Sequence, residues 1–514
     1  MAENDVQGKW ALPDGWVWAA IGDMVGADGV FTDGDWVESK DQDPQGDVRL
    51  VQLADIGDGV YRNKSDRYLT SAKAAELGCK FLKPGDVLIA RMPDPLGRAC
   101  IFPGDPKPCV TAVDVCIVHS GNQGVDHRWL MLFINSPQIR AEIASYQSGS
   151  TRKRISRSNL ARILFPVPPL PEQRRIVAEI ETQFTRLDAG VAALERARAN
   201  LRRYKATVLK SACEGRLVPT EAELARAEGR DYEPAGRLLA RILAQRRARW
   251  EAEHPGKQYE EPNPPDTENL PELPEGWVWA SLERLSWHSN YGTSQKCDYE
   301  VTEAPVLRIP NIVNGTVDLQ DLKYATMPQA LGRSDELAPG DLLIVRTNGS
   351  RDLIGRSALV RTEFNRPYFF ASYLIRFRII QVSDWIATIW DAPFMREWLE
   401  RAAATSAGQY NISVGTLNHL PIPIPPLAEQ RRIVAEVERR LSVVAALEVA
   451  VVAALARARR LRRAVLERAF EGRLVPQDPS DEPASVLLER IKAERAQREK
   501  KGDEEKQPKQ MELL

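Results

Sequence analysis

The apolar residues of segments 168–219 and 425–476 recur with alternating spacings of three and four, which places them in one seam along an α-helix. The first seam consists of Val177, Ile180, Phe184, Leu187, Val191, Leu194, Leu201 and Val208. The second consists of Val434, Val437, Leu441, Val444, Leu447, Val451, Leu461 and Val465, with a slip near Leu447. Each segment is therefore predicted to form one helix of about 44 residues and roughly 65 Å.

The ends of both segments carry residues that start and stop helices. Each segment opens with a double proline and the motif EQRRIVAE, so that Glu172 and Glu429 lie where the helix dipole favours negative charge. Each closes with EGRLVP, in which Gly215 and Gly472 suit a left-handed C-cap and the proline blocks further helix. Because each seam needs an apolar partner, we expect the two helices to pack together as a rod. The alternative is that each helix packs within its own globular domain.

The repeat is larger than the helices. LPDGWVWA at 12–19 returns as LPEGWVWA at 273–280, and KPGDVLIAR at 83–91 returns as APGDLLIVR at 338–346. The chain divides into a first globular domain (1–168), a helix (169–215), a tail helix with an acidic, proline-rich connector (216–270), a second globular domain (271–425), a second helix (426–472), and a tail helix with a charged end (473–514). Residues 494–514 are predicted to fray or to be disordered.

Local patterns within the globular domains favour mixed, mostly β structure. Predicted strands are 87–90, 113–119, 342–345 and 369–379, and helical periodicity occurs at 129–146 and 384–404. The sequence thus predicts an α+β chain, a tandem duplication of a mostly β domain followed by a long helix. Segment 28–44 bears little relation to 290–303, and 92–97 differs from 347–355. Unlike loops on one scaffold are what recognition of two unlike targets requires.

Composition narrows the environment and the partners. The 514 residues have a formal net charge of −1, so any contact with nucleic acid must come from local basic patches. The six cysteines (Cys79, Cys100, Cys109, Cys116, Cys213, Cys297) show no CxxC spacing, which predicts reduced thiols and no zinc site. The sequence has neither a signal-peptide pattern nor an uninterrupted run of 18 apolar residues. We therefore expect a soluble, cytoplasmic protein without membrane contact.

Motifs for catalysis are missing from the sequence. Asn263-Pro264-Pro265 resembles a methyltransferase NPPY motif only superficially, because Asp266 follows in place of an aromatic residue. No glycine-rich loop for S-adenosylmethionine follows a predicted strand, and no GxxxxGK[ST] motif for ATP occurs. The five histidines are scattered along the chain. We expect no catalytic residue, no metal site and no cofactor in this chain.

The duplicated LPxGWxW, PGDxLIxR, EQRRIVAE and EGRLVP motifs resemble those of the specificity (S) subunit of Type I restriction-modification systems. The resemblance spans nearly the whole chain. It implies that the globular domains are target-recognition domains, each reading one half of a bipartite site in double-stranded DNA. The helices would then be the conserved regions that pack antiparallel as a coiled-coil-like rod and set the spacer between the half-sites.

The resemblance also implies partners. Two modification (methyltransferase) subunits, which bind S-adenosylmethionine, would dock on this chain. Restriction (motor-nuclease) subunits, which use ATP and Mg, would join through them. The apolar residues that repeat in the two tail helices are candidates for the two docking sites: Leu238, Leu239, Ile242, Leu487, Leu488 and Ile491. The alternative is that the tail helices simply pack on the rod.

The first candidate DNA contacts are the cations of segment 149–157, next to Gly149. They are Arg152, Lys153, Arg154 and Arg157. Lysine and arginine neutralise phosphates, and arginine can also fork onto O6 and N7 of guanine. The alternative is a solvated basic loop. The aligned positions of the second domain, Gln409, Tyr410 and Asn411, offer amides suited to adenine.

A second set of candidates lies near predicted strand ends, beside flexible residues. It comprises Arg91, Arg98, Arg346, Asn348, Arg351 and Arg356. We expect about half of these arginines to form structural ion pairs, since arginine commonly serves that purpose.

Two other functions remain open at this point. A single-chain restriction-methylation enzyme would share the recognition domains, but it would need the methyltransferase motifs that are missing. A coiled-coil scaffold or adaptor without DNA specificity would explain the helices. It would not explain why two whole globular domains are duplicated with different loops.

Overall fold

The structure is a computed structural model that describes residues 11–93, 95–122, 124–149, 153–406 and 408–506. The chain forms two compact units. Unit 1 combines residues 1–194 with 453–514, and unit 2 comprises residues 195–452. Each unit therefore contains one globular domain together with parts of both long helices.

Twelve α-helices lie in the described part of the chain. They are α1 (Ser71–Glu76), α2 (His127–Ile134), α3 (Pro137–Ser145), α4 (Arg157–Leu160), α5 (Leu170–Cys213), α6 (Glu221–Glu228), α7 (Ala235–Glu253), α8 (Ser383–Ile389), α9 (Pro393–Ala402), α10 (Val414–Asn418), α11 (Leu427–Phe470) and α12 (Ala484–Lys506). The helices α5 and α11 have 44 residues each, which confirms the length predicted from the apolar seams and the capping residues.

Nine strands lie in the described residues of the globular part of unit 1. They are β1 (Val17–Ala20), β2 (Val30–Asp33), β3 (Val48–Val51), β4 (Tyr68–Leu69), β5 (Val87–Ala90), β6 (Ala99–Ile101), β7 (Cys109–Thr111), β8 (Val115–His119) and β9 (Leu164–Val167). One sheet has the order β2-β8-β5-β6, a second has the order β4-β3-β7, and β1 pairs with β9 as a two-stranded ribbon. The ribbon leads directly into α5.

The globular part of unit 2 contains fifteen strands in the ranges 271–406 and 408–425 that the structure describes. They are β10 (Val278–Ser281), β11 (Ser286–Tyr291), β12 (Cys297–Asp298), β13 (Pro305–Leu307), β14 (Ile312–Val313), β15 (Gly315–Val317), β16 (Lys323–Ala325), β17 (Asp341–Val345), β18 (Thr347–Asn348), β19 (Ser357–Leu359), β20 (Phe369–Phe370), β21 (Leu374–Ile379), β22 (Ala404–Ser406), β23 (Gln409–Asn411) and β24 (Pro421–Ile424). The sheets have the orders β11-β21-β17-β19-β15-β14, β12-β16-β13-β20 and β18-β23-β22, and β10 pairs with β24.

The central strands of the two units correspond in order and in register. The order β2-β8-β5-β6 of unit 1 recurs as β11-β21-β17-β19 in unit 2, with antiparallel pairing throughout. Ala90 lies opposite Val115 in unit 1, and Val345 lies opposite Leu374 in unit 2. The duplication read from the sequence is therefore a duplication of structure.

Each helical segment predicted in the globular domains is two helices. Segment 129–146 contains α2 and α3, and segment 384–404 contains α8 and α9. The second helix of each pair begins at a proline, Pro137 or Pro393, which occupies a first helical position because it lacks the N–H that a helix interior needs. Periodicity alone does not register this break, because both helices bury the same kind of face.

The long helices pack against each other within unit 1. Ile176 and Ile180, near the start of α5, share a core with Leu466 and Phe470, near the end of α11. Farther along, Asp188 of α5 accepts a hydrogen bond from Arg462 of α11 at 2.6 Å. The start of one helix thus lies beside the end of the other.

The same arrangement recurs within unit 2 with the roles exchanged. Val208 and Ala212, near the end of α5, share a core with Ile433 and Val437, near the start of α11. The predicted antiparallel packing of the helices is therefore confirmed in each unit.

The middle of α11 departs from the predicted seam. Leu447 and Leu461 are 48% and 45% exposed, so their assignment to the seam is wrong. By length and composition, α11 is also apolar enough to cross a membrane, with an 18-residue window of mean hydropathy 2.0 that is 11% buried. A search of the sequence for an uninterrupted run of 18 apolar residues does not find this window, because Glu448 interrupts the apolar run.

The C-terminal tail is more ordered than predicted. Helix α12 extends to Lys506, so the prediction of fraying is wrong for residues 494–506. Two arginines anchor it in unit 1, since Arg495 donates to the carbonyl of Gly22 at 2.7 Å and Arg498 donates to the carbonyl of Ala27. Residues 507–514 lie outside the described residues.

A buried tryptophan–glutamate hydrogen bond fastens each globular domain to its helix. The indole Nε1–H of Trp16 donates to Oε2 of Glu172 at 3.0 Å, and that of Trp277 donates to Oε1 of Glu429 at 3.0 Å. Burial raises the pKa of both carboxyl groups. In unit 2 the backbone N–H of Glu221 also donates to Oε2 of Glu429, at 2.9 Å. Among the described residues of unit 1, Oε1 of Glu172 has no donor.

This difference predicts opposite effects of two matched substitutions. Because the folded pKa of Glu172 is raised, the folded protein loses stability as pH rises from the ordinary glutamate pKa through the raised one. Glu172→Gln removes that loss and keeps an acceptor for Trp16. Glu429→Gln leaves one of two buried donors unpaired, at a cost of about 1–3 kcal/mol.

Thermal unfolding at pH 5 and pH 7.5 measures both effects. The melting temperature of Glu172→Gln, relative to the native chain, should be higher at pH 7.5 than at pH 5, whereas Glu429→Gln should melt below the native chain at pH 7.5. Equal losses for both variants at both pH values would contradict the role assigned to the unpaired oxygen.

Candidate DNA interface

One arginine occupies the same place in both units, directly after the central strand. Arg91 follows β5, and Arg346 follows β17. The backbone holds both in the same way: the carbonyl of Arg91 accepts from the N–H of Ile155 at 3.0 Å, and that of Arg346 accepts from the N–H of Ile412 at 2.9 Å. The described candidate residues 153–157 and 409–411 are thereby brought next to these strand ends in their respective units.

In unit 2 the arginine lies against an aromatic ring. The guanidinium carbon of Arg346 is 4.5 Å from the centre of the Tyr291 ring, within the range of a cation–π contact. Its Nη2 donates to Oδ1 of Asn411 at 3.3 Å. The backbone N–H of Arg346 donates to the carbonyl of Tyr373 at 3.0 Å, and the ring of Tyr373 is 55% exposed.

A small sheet places the remaining candidates of unit 2 beside this arginine. Strand β23 pairs with β18, so that Asn411 lies opposite Thr347 and Tyr410 lies opposite Asn348. Gln409 and Asn411 are exposed, whereas Tyr410 and Asn348 are half-buried. The Asn348 side chain accepts from the N–H of Ser350 at 2.8 Å, which shapes its own loop. Amide, hydroxyl and guanidinium groups therefore converge at one edge of unit 2.

In unit 1 the corresponding arginine is tied down by the chain itself. Nη1 of Arg91 lies 2.8 Å from a carboxylate oxygen of Asp33, and Nη2 donates to the carbonyl of Val113 at 2.9 Å. The Arg91 side chain is only 13% exposed. This is one of the structural ion pairs that we expected within the second set of candidates.

The basic segment of unit 1 presents its charges differently. Lys153 and Arg154 are exposed, and the backbone of Arg154 exchanges two 2.9 Å hydrogen bonds with Ser148. Arg157 is half-exposed and lies 3.8 Å from Asp33. Arg152 lies outside the described residues. The available cations of this segment are therefore Lys153, Arg154 and, in part, Arg157.

The prediction that Arg98 contacts DNA is wrong for this structure. Its side chain is buried and donates to the carbonyls of Ile56, Leu53 and Pro95 at 2.6, 2.7 and 3.0 Å. The guanidinium thus pairs backbone oxygens inside unit 1, because buried carbonyls need donors.

Two further arginines of the second set lie in unit 2, at its surface. Arg356 aligns with Arg98, since their carbonyls accept from the N–H groups of the equivalent residues Val345 and Ala90, both at 2.8 Å. Arg356 is exposed and donates to the carbonyl of Asp352 at 3.2 Å, and Arg351 lies 3.9 Å from the carboxylate of Glu400. Both remain accessible as candidates for phosphate contacts.

The predicted docking residues of the tail helices are not at the surface. Leu238, Leu239 and Ile242 are buried in the core that α7 forms with α5 and the second globular domain. Leu487 and Ile491 are buried in the corresponding core of unit 1, against which Leu488 is packed. A partner-docking role for these side chains is therefore incompatible with this structure, and the alternative of internal packing fits it.

Sequence reasoning missed the aromatic side chains at the edge of unit 2. Tyr291 and Tyr373 are 42% and 55% exposed; the ring of Tyr291 lies beside the guanidinium of Arg346, and the backbone carbonyl of Tyr373 accepts from the Arg346 N–H. The available signal was that Tyr291 falls in segment 290–303, where the repeats diverge. Within the described residues, no group of three or more His, Cys, Asp or Glu is placed to hold a metal ion, and the six cysteines are free thiols.

The family model and the relatives that match this chain all concern Type I specificity proteins. Residues 13–196 match the family model described as Type I restriction modification DNA specificity domain. The chain is 26% identical over 374 residues to the Type I restriction enzyme EcoKI specificity subunit of Escherichia coli (strain K12), covering 71% of each protein. It is 25% identical over 383 residues to the StySPI specificity subunit of Salmonella potsdam, covering 72% of each.

Comparison with solved structures supports the fold. A chain from a study of the complex assembly and conformational transition of the type I R-M system matches with a TM-score of 0.59 at 21% identity, covering 91% of this chain and 100% of that chain. The predicted α+β class, with tandem domains and long helices, is therefore confirmed. Residues 13–196 are thus similar to the Type I restriction modification DNA specificity domain, and the chain is similar over most of its length to Type I restriction enzyme specificity subunits.

Proposed function

We propose that this chain is the DNA-binding specificity subunit of a Type I restriction-modification complex, in which each globular domain reads one half of a bipartite site. The observation that carries the proposal is a contrast within the duplication. The central strands and the strand-end arginine are the same in both units, whereas the side chains around that arginine are different. A shared frame with unlike recognition edges is suited to two unlike half-sites.

The proposal assigns the chemistry to other subunits. Two modification subunits with S-adenosylmethionine would methylate adenine, and restriction subunits with ATP and Mg would cleave DNA, while this chain has no catalytic role and binds no cofactor. The complex would act in the cytoplasm as part of host defence. Because the tail-helix leucines are buried, exposed surfaces of the long helices are better candidates for docking. The exposed side chains of Val443 and Leu447, one turn apart on α11, provide one apolar surface.

A binding experiment separates this function from a scaffold without DNA specificity. The chain with its modification subunits is expected to bind one bipartite duplex far more tightly than a duplex with either half-site scrambled. Affinity should fall linearly with the logarithm of salt concentration, because phosphate contacts release counterions. Equal affinity for all duplexes would contradict the proposal. Methyl transfer by the chain alone would instead indicate a single-chain enzyme.

Two exposed cations and one buried arginine provide a matched comparison in unit 1. The double variant Lys153→Ala/Arg154→Ala should reduce the salt slope by about 2, since each lost phosphate contact contributes about 0.9. Its melting temperature should be unchanged because both side chains are exposed. Arg98→Met should lower the free energy of unfolding by about 2–4 kcal/mol, because three buried carbonyls lose their donor.

Fluorescence anisotropy at several salt concentrations, together with urea unfolding, measures both effects. An unchanged slope for the double variant would remove segment 149–157 from the interface. If Arg98→Met instead unfolded like the native chain, the structural role of that arginine would be wrong.

A length change in the helices tests whether they set the spacer between half-sites. Leu209 is buried in unit 2, so an insertion after it would disrupt the core. Four residues inserted after Ala199 and four after Leu447, where the side chains are exposed, lengthen both helices by about 6 Å. The preferred spacer should grow by about two base pairs at 3.4 Å per step.

Sequencing of methylated sites in cells that carry the altered chain and its partners reads the spacer directly. The same insertion in α5 alone is the control and should abolish activity, because the two helices would no longer match. An unchanged spacer with full activity would mean that helix length does not fix it.

A further inference from the structure

The two units differ most sharply at one pair of equivalent positions beside the strand-end arginine. Asp33 pairs with Cys116, which pairs with Ile89, two residues before Arg91. Tyr291 pairs with Ile375, which pairs with Ile344, two residues before Arg346. Asp33 and Tyr291 therefore occupy the same register position in their sheets. In each unit, one strand separates this residue from the strand that precedes the arginine.

A second pair of equivalent positions shows the same change. The backbone N–H of Arg91 donates to the carbonyl of Asp114 at 2.9 Å, and that of Arg346 donates to the carbonyl of Tyr373 at 3.0 Å. Carboxylates thus stand at both positions beside Arg91, and tyrosines stand at both positions beside Arg346. A carboxylate pair repels a phosphate backbone, whereas tyrosines carry no charge and can hydrogen-bond to DNA.

The guanidinium of Arg346 is held in place without a carboxylate partner among the described residues. The guanidinium carbon lies 4.5 Å from the centre of the Tyr291 ring, and Asn411 accepts from Nη2 at 3.3 Å. The Tyr291 hydroxyl is itself fixed, because it accepts from the N–H of Val414 at 3.1 Å. No carboxylate of the described residues forms an ion pair with Arg346. Because this guanidinium is already held in place, it loses little conformational entropy when it binds DNA. Because it has no carboxylate partner, its hydrogen-bond donors remain available.

We infer that Arg346 reads a guanine in the half-site of the second domain and that Tyr291 is the positioning residue that makes this possible. The guanidinium would donate to O6 and N7 in the major groove, a pattern that only guanine presents. In the first domain Asp33 neutralises Arg91, the equivalent arginine, which therefore does not read a base. The inference rests on the proposed function and assigns base specificity within it.

Three variants of the full chain, each expressed with its modification subunits, test the inference by sequencing of methylated sites. Tyr291→Asp installs the residue of the first domain at the equivalent position and should redirect Arg346 into an ion pair. Arg346→Lys keeps the charge but lacks the rigid planar fork that Tyr291 holds in one orientation. Arg361→Gln is the control, because this arginine of the second domain forms a surface ion pair with Asp384 at 3.2 Å.

The native chain and Arg361→Gln are expected to methylate one bipartite motif with an invariant guanine in one half-site. Tyr291→Asp and Arg346→Lys should accept other bases at that position only and leave the other half-site unchanged. In vitro, 7-deazaguanine at that position, which lacks N7, should weaken binding of the native complex about 5- to 100-fold and weaken binding of the Arg346→Lys complex less.

Three outcomes would overturn the inference while the proposed function stands. They are a motif unchanged in both variants, relaxation in both half-sites, and a uniform loss of affinity for every sequence, which would indicate a phosphate contact instead. If the native complex methylated no bipartite motif at all, the proposed function itself would fail. Thermal unfolding of Tyr291→Asp and Arg346→Lys distinguishes lost recognition from a lost fold.

Discussion

The architecture depends on a buried hydrogen bond from a tryptophan indole to a glutamate in the first turn of a long helix. The tryptophan precedes the first strand of a ribbon, and the second strand of that ribbon leads straight into the helix. The bond therefore joins the two ends of a globular domain, which are 156 residues apart in unit 1 and 152 residues apart in unit 2. Burial makes the carboxylate costly and the donor indispensable. The same hydrogen bond occurs at Glu172 and at Glu429. It fixes each globular domain to its helix without any contact from the recognition loops.

The helices were predictable because their signals are local. Seam spacing, acidic first turns and terminal Gly-Pro pairs lie within each segment, and they give the observed 44-residue lengths. The seam failed at Leu447 and Leu461, which keep the spacing but face solvent. Spacing records which face of a helix is apolar, whereas burial depends on what packs there. The tail helices illustrate the reverse error, since Leu238 and Leu487 were assigned to a surface and are core residues.

The candidate interface was predictable only in part. The strand-end arginines follow a recognisable turn and strand, so Arg91 and Arg346 could be placed from the sequence. Their electrostatic state could not, because Asp33 and Tyr291 come from strands more than fifty residues away, and strand register is a property of the folded sheet. Arg98 and Arg356 align in the repeat, yet one pairs buried carbonyls and the other is exposed. Alignment within a duplication therefore transfers a backbone position more reliably than a role.

The order in which the segments of the two units are translated has a consequence for folding of the protein. Unit 2 is a continuous stretch, residues 195–452, whereas unit 1 needs residues 453–514 in addition to its own N-terminal domain. On the ribosome, the first domain to emerge must wait for Phe470 and Ile491 to complete its core, while the second can close as soon as it is released. The domain translated first is the last to be finished. Premature termination after residue 452 would leave the second domain whole and the first one open, with its apolar core exposed to chaperones and proteases.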